Sequence, residues 1–164
     1  MEEKLFREIY DKAINFRGRI INAITLLERH IDVIISDYFC GTNPKSDELM
    51  NVVFATNKIT FDSKREVLKY VLTKGVYINI LNDNPSLFSD LIKIGDFRNI
   101  LAHHPICTTE EADKEYLDNN KIGFTKFKNS ADDHFYSEDE IKKYEELILD
   151  YMNYFRGFMG AKTL

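Results

Sequence analysis

The strongest constraint on the fold is a stripe of apolar residues near the start of the chain. Leu5, Ile9, Ala13, Phe16, Ile20, Ile24, Leu27, Ile31, Ile34 and Tyr38 recur every three or four residues, with charged residues between them. That spacing belongs to one face of an α-helix, and it predicts a single helix from Glu2 to about Tyr38. Gly18 in mid-helix costs about 1 kcal/mol relative to alanine, which a stripe of this length absorbs. The breakers Gly41-Thr42-Asn43-Pro44 then end it. Such a stripe needs a comparably long surface to cover it, and a bundle of helices supplies one where an isolated helix does not.

The remaining periodicities fit that demand. Ser46 is placed to cap a short helix through Leu49, Val52 and Val53. The Ser63-Lys64-Arg65-Glu66 box opens another, through Val67, Leu68, Val71 and Leu72 to Gly75. Val76 to Leu81 suits either a helical tail or a strand, closed by Asn82-Asp83-Asn84-Pro85. From about Pro85 to Ile100 the chain reads as helix, with Leu87, Leu91, Ile94, Arg98 and Leu101 on one face. Pro105 disfavours the α conformation at His104, so this helix should stop near His103. From Ile106 to Tyr136 the helical period is lost. Lys121 to Lys128 alternates as a strand does, through Ile122, Phe124 and, less regularly, Phe127. The Ser137-Glu138-Asp139-Glu140 capping box opens a last helix to about Phe158. Its seam of Ile141, Tyr144, Ile148, Tyr151, Phe155 and Phe158 suits antiparallel core packing or a dimer contact. The expected fold is mainly α: a four- to five-helix up-and-down bundle, one domain over 1–164, with a small β-hairpin insertion after the motif helix.

Composition narrows the function. The chain is 44% hydrophobic and 13% aromatic, which argues for a folded globule. Its net charge of −5 provides no global field for a phosphate backbone, so RNA binding would need a local patch around Arg98, drawn from Lys93, Lys64, Arg65 or Lys69. The charged, quickly amphipathic start has no signal-peptide core, and no apolar run reaches about 18 residues, so a cytoplasmic protein without a membrane partner is expected. Cys40 and Cys107 are isolated and read as free thiols. A packed Cys107 is favoured over a Cys–His pair with His103 or His104. His134, beside Asp132 and Asp133, reads as part of a solvated polar loop; a metal there would need ligands from elsewhere. No phosphate-cradling glycine loop, Cys-x-x-Cys or His-Glu-x-x-His occurs, so neither a cofactor nor a metal is expected.

The chemistry concentrates in Asp96-Phe97-Arg98-Asn99-Ile100-Leu101-Ala102-His103-His104-Pro105. Histidine exchanges a proton near neutral pH. Arginine grips phosphate oxygens in a planar fork. Asparagine orients an imidazole or donates to phosphate. Arg98, Asn99 and His103 are therefore the candidate catalytic residues, with His104 and Asp96 as alternative or auxiliary ones. The set suits attack of a ribose 2′-hydroxyl on the adjacent phosphorus, which needs proton transfer and charge stabilisation but no metal. Arg98 and His103 are five residues apart, about 140° around a helix. They converge if Arg98 reaches round, if the last turn distorts, or if a second copy supplies one of them.

Arg98-Asn99-x-x-x-His103 resembles the Arg-x4–6-His signature of HEPN domains, including the polar residue that often follows the arginine. The likeness extends loosely over most of the chain, from the long first helix to the late motif helix; His104 fits the longer form of the gap. It implies a metal-independent endoribonuclease in which Arg98 and His103 are catalytic, a homodimer with the motifs lining a shared cleft, and a place in toxin–antitoxin or anti-phage defence. An antitoxin or other protein partner belongs to the same expectation. The alternative it implies is a catalytically inactive interaction, scaffold or nucleotide-binding module. One position departs from the pattern: HEPN toxins paired with nucleotidyltransferase antitoxins often carry a tyrosine two residues beyond the histidine, where this chain has Pro105.

Overall fold

The apolar stripe does what its period demands. In the computed structural model, which describes residues 2–162 apart from 42, 57 and 129, helix α1 runs over Glu2–Cys40. Ile9, Ala13, Phe16, Ile20, Ile24, Leu27, Ile31 and Ile34 are all buried, while Leu5 and Tyr38 at its ends are half-buried. Thr42 of the stop signal, and the side chain of Phe127 in the strand pattern, lie outside the described residues. Short α2 (Lys45–Glu48) leads into a π-helical turn, Leu49–Phe54. Ser46 is not its cap: Pro44 holds that position, and Ser46 bonds instead to the Ser36 hydroxyl.

Helix α3 (Phe61–Val71) begins earlier than the Ser63 box suggests. Thr60 is its N-cap, and its side chain accepts from the Ser63 amide. The ambiguous stretch after it is helical, a 3-10 turn (Gly75–Tyr77) followed by α4 (Ile78–Asp83). Helix α5 (Leu87–His103) carries the motif and stops where Pro105 requires. A further helix, α6 (Glu110–Asn119), lies in the region expected to be irregular. It buries only Ala112 and Tyr116, too few positions to register as a period. Its signals are a Thr109 cap and an acidic first turn. Asn120 closes it in the left-handed conformation (φ +54°), which asparagine tolerates better than most residues.

Strands β1 (Lys121–Lys128) and β2 (Ser130–Ser137) form the expected antiparallel hairpin, with Ile122 opposite Tyr136 and Phe124 opposite His134. The capping box then closes reciprocally. The Ser137 amide and hydroxyl donate to Glu140 at 2.8 and 2.9 Å, and the Glu140 amide donates back to the Ser137 hydroxyl. Helix α7 (Glu138–Lys162) follows. The chain is thus mainly helical, with five α-helices of ten residues or more among the described residues.

Two compact units divide the chain, Met1–Ile24 with Asp96–Leu147, and Thr25–Gly95 with Ile148–Leu164. In the first, Phe97 stacks on Tyr144 (centroids 4.0 Å apart, planes 18° apart) and meets Tyr136 edge-on. In the second, Leu68, Leu72, Ile80, Leu91, Ile94, Ile148 and Phe155 are buried, and the Tyr151 hydroxyl donates to Asp90 at 2.8 Å. The seam of α7 is therefore core, with Ile141, Ile148, Tyr151 and Phe155 buried, each such side chain contributing about 1.5–3 kcal/mol. No helix among the described residues is long and apolar enough to cross a membrane.

Candidate functional site

Helix α5 presents its motif on two sides. Leu91, Ile94, Phe97 and Leu101 are buried. Arg98 is half-buried at the edge of that face, while Asp96, Asn99 and His103 are exposed. The side chains diverge as five residues of helix require, about 140°. The last turn does not distort to bring them together, since the His104 amide still bonds Ile100 in helical fashion at 3.0 Å. Among the described residues Arg98 makes one polar contact, a long 3.4 Å bond to the Asn99 side-chain oxygen.

Neither simple structural use of the pair is realised among the described residues. Arg98 makes no ion pair with Asp96, and Asp90 is engaged by Lys93 at 2.9 Å and by Tyr151. No hydrogen bond ties the His103 ring to the carbonyls at the end of α5, although it sits at the negative pole of the helix dipole. The cations expected to assist Arg98 are largely committed elsewhere. Lys64 is buried between Glu28 (2.8 Å) and Asp32 (2.9 Å), and Arg65 pairs with Asp62 at 3.0 Å.

His104 takes a different course from its neighbour. After α5 the chain pairs with β1: the Thr125 amide donates to the Pro105 carbonyl at 3.0 Å, the Cys107 amide to the Gly123 carbonyl at 2.9 Å, and Ile106 bridges Phe124. A side chain at Gly123 would place its Cβ 2.7 Å from the Phe135 ring and 2.9 Å from Cys107 Cβ, so this close approach requires glycine. The pairing turns His104 toward the hairpin, where its ring lies near-parallel to His134, centroids 6.4 Å apart. His134 is therefore half-buried on a strand rather than in the solvated loop its neighbours suggested. Arg17 of α1 donates to the His104 carbonyl, and its guanidinium stands 5.2 Å from the centroid of the Phe124 ring.

Electrostatics mark the same group. Burial lowers the His104 pKa below 6.5, and the nearby His134, Lys126 and His103 lower it further. Burial also lowers Arg17, partly offset by Tyr10, though a guanidinium stays charged. On the other face of β2 the Cys107 thiol donates to Asp133 at 3.2 Å and lies 3.3 Å from the Thr109 hydroxyl. It is a packed free thiol with no histidine partner among the described residues, and Cys40 is free as well.

The motif reading thus locates Arg98, Asn99, His103, His104 and Asp96 on or just past α5 but misses Arg17 and undervalues His134. Arg17 looks like any solvated residue of a long helix; only a contact across 87 residues of sequence distinguishes it. Among the described residues no group of three or more potential ligands is placed to hold a metal ion. No protein-family model, curated protein or solved structure matches the chain.

Proposed function

We propose that the chain is a metal-independent endoribonuclease of HEPN type, acting as a homodimer in which Arg98 of one copy and His103 of the other face a shared cleft. The observation that carries this reading is the uncommitted state of the pair. Arg98 is half-buried with only the long Asn99 contact, and the exposed His103 ring has no bond, among the described residues. A guanidinium and an imidazole on divergent sides of one helix meet readily across a two-fold axis, where each copy supplies the half the other lacks. The exposed stripe of Phe6, Tyr10 and Ile14 on α1 offers an apolar face for such a contact.

In this mechanism His103 moves the proton between the 2′-hydroxyl and the leaving oxygen, Arg98 stabilises the charge on the phosphorane, and Asn99 orients the imidazole or the phosphate. Toxin–antitoxin or anti-phage activity would follow from such cleavage; Pro105 gives no support to a partner that modifies a tyrosine there. The test incubates wild type and His103→Ala with labelled RNA in EDTA. Wild type should yield 2′,3′-cyclic phosphate ends, and the variant should lose on the order of 10²–10⁴-fold in rate. Arg98→Ala should be comparably damaging, Arg98→Lys a poor rescue, and Asn99→Ala milder. Equal cleavage by wild type and His103→Ala would overturn the assignment.

The second reading is an inactive interaction module. It is favoured by the pairing of Lys64, Arg65 and Lys93 with carboxylates, which leaves few cations for an RNA backbone. Failure to cleave any RNA would select it.

A further inference from the structure

Three nitrogens beside the hairpin are buried without a hydrogen-bond partner among the described residues: Arg17 Nε, His104 Nδ1 and His134 Nε2. Buried polar atoms are paired in the great majority of cases, so a cluster of unpaired ones needs a reason. All three belong to one constellation. Arg17 is fixed at one end by the His104 carbonyl and laid over Phe124, and Phe124 is the cross-strand partner of His134, whose ring faces that of His104.

We infer that Arg17, His104 and His134 form a binding site for an oxyanion of the phosphate class. The guanidinium offers only donors, and each imidazole, once protonated, offers two, so an acceptor-only ligand with several oxygens satisfies all of them together. The surrounding charge has the matching sign. Lys126 and His103 act on His104 with the sign of a cation, while Tyr10 acts on Arg17 in the opposite sense without forming an ion pair. Of the hairpin carboxylates, Asp132 stands opposite Lys126 in the strand register, and Asp133 takes the Cys107 thiol on the other face through Oδ2, its Oδ1 being buried there without a partner among the described residues. Among the described residues none forms an ion pair with Arg17, His104 or His134. A bound cation would meet this surplus as repulsion; an anion would relieve it.

The site does not depend on the ribonuclease reading, because His103 takes no direct part in it. Sulfate is the suitable probe, since its charge is constant across the histidine range. The ring resonances of the four histidines are followed by NMR during sulfate titration at about pH 6.5, against chloride at equal ionic strength. Sulfate should shift the His104 and His134 rings saturably and raise the apparent pKa of His104, leaving His30 in place. Arg17→Met should weaken sulfate about tenfold or more by removing a charged donor. His134→Gln, which keeps a polar side chain and loses the charge, should do likewise and move the His104 response to correspondingly higher sulfate, so the inference stays testable if Arg17→Met does not fold. A 2′-deoxyoligonucleotide, which cannot be cut by 2′-hydroxyl attack, distinguishes the ligand's source. If it moves the same two rings the anion belongs to a polynucleotide, and if only sulfate does it is a small free anion. His103→Ala should keep the saturable sulfate response of His104 and His134, weakened far less than by Arg17→Met, even if RNA cleavage is lost. Identical responses to sulfate and chloride, or none at His104 and His134, would overturn the site.

Discussion

Lys64 and Arg17 are both cations drawn into the protein from long helices, and the two are treated in opposite ways. Lys64, 3% exposed, is clasped by two carboxylates within 3 Å. Arg17 has no carboxylate partner among the described residues; it has an aromatic face and the carbonyl of His104, whose ring in turn faces that of His134. A buried charge is tolerated when its counter-charges are built in, because their attraction offsets the desolvation. The Lys64 cluster has its counter-charges built in, although Asp32 Oδ1 is left without a hydrogen-bond partner among the described residues. The Arg17 cluster lacks its negative member, which is the pattern of a site that receives its counter-charge from a ligand. The same contrast separates two adjacent residues, His103 held in solvent and His104 turned in against a strand.

The contrast can be broken, most severely at Lys64. Lys64→Ala should cost about 3–5 kcal/mol, since it leaves Asp32 buried with no cation beside it. Burial already raises the Asp32 carboxyl, with Lys64 pulling it back. Without Lys64 it should rise further, so the loss should shrink in acid as Asp32 takes up a proton. Urea denaturation across pH measures both, and a loss below about 1 kcal/mol would mean that the pair is not the matched unit described.

Removing Arg17 should be milder. Arg17→Met leaves no carboxylate orphaned and forfeits one hydrogen bond and one cation–π contact, about 1–2 kcal/mol together. The same denaturation assay tests this, and a loss equal to that of Lys64→Ala would erase the distinction between the two clusters.

The smallest effect concerns His104. Its lowered pKa means that the folded chain binds this proton more weakly than the unfolded chain does. Stability should therefore rise with pH across the window between the folded pKa and the ordinary value of 6.5, and fall on acidification through it. His104→Gln should flatten that dependence in a pH series of thermal melts, and excess sulfate should flatten it in wild type. A dependence unchanged by the substitution would assign the acid sensitivity to another group.

Much of this architecture was legible in the residues. The buried face of α1, the seam of α7 and the Ser137–Glu140 capping box are local patterns, set by neighbours within a few turns, and a period or a cap records them directly. The motif helix was legible too, including its stop before Pro105 and the 140° that separates Arg98 from His103. What depended on distant neighbours was not. Helix α6 buries two side chains and so carries almost no period. Lys64 reads as one more surface lysine until Glu28 and Asp32 close on it.

By itself, then, the sequence determined helices α1, α3, α5 and α7, their apolar faces and the positions of the candidate Arg98, Asn99 and His103, because each follows from spacings along the chain. The tertiary structure alone decided that Lys64 is matched, that the pairing of 105–107 with β1 turns His104 inward, and that Arg17 and His134 share its surroundings. Those outcomes depend on which residues far apart in the chain exclude water from one another, a property no spacing records.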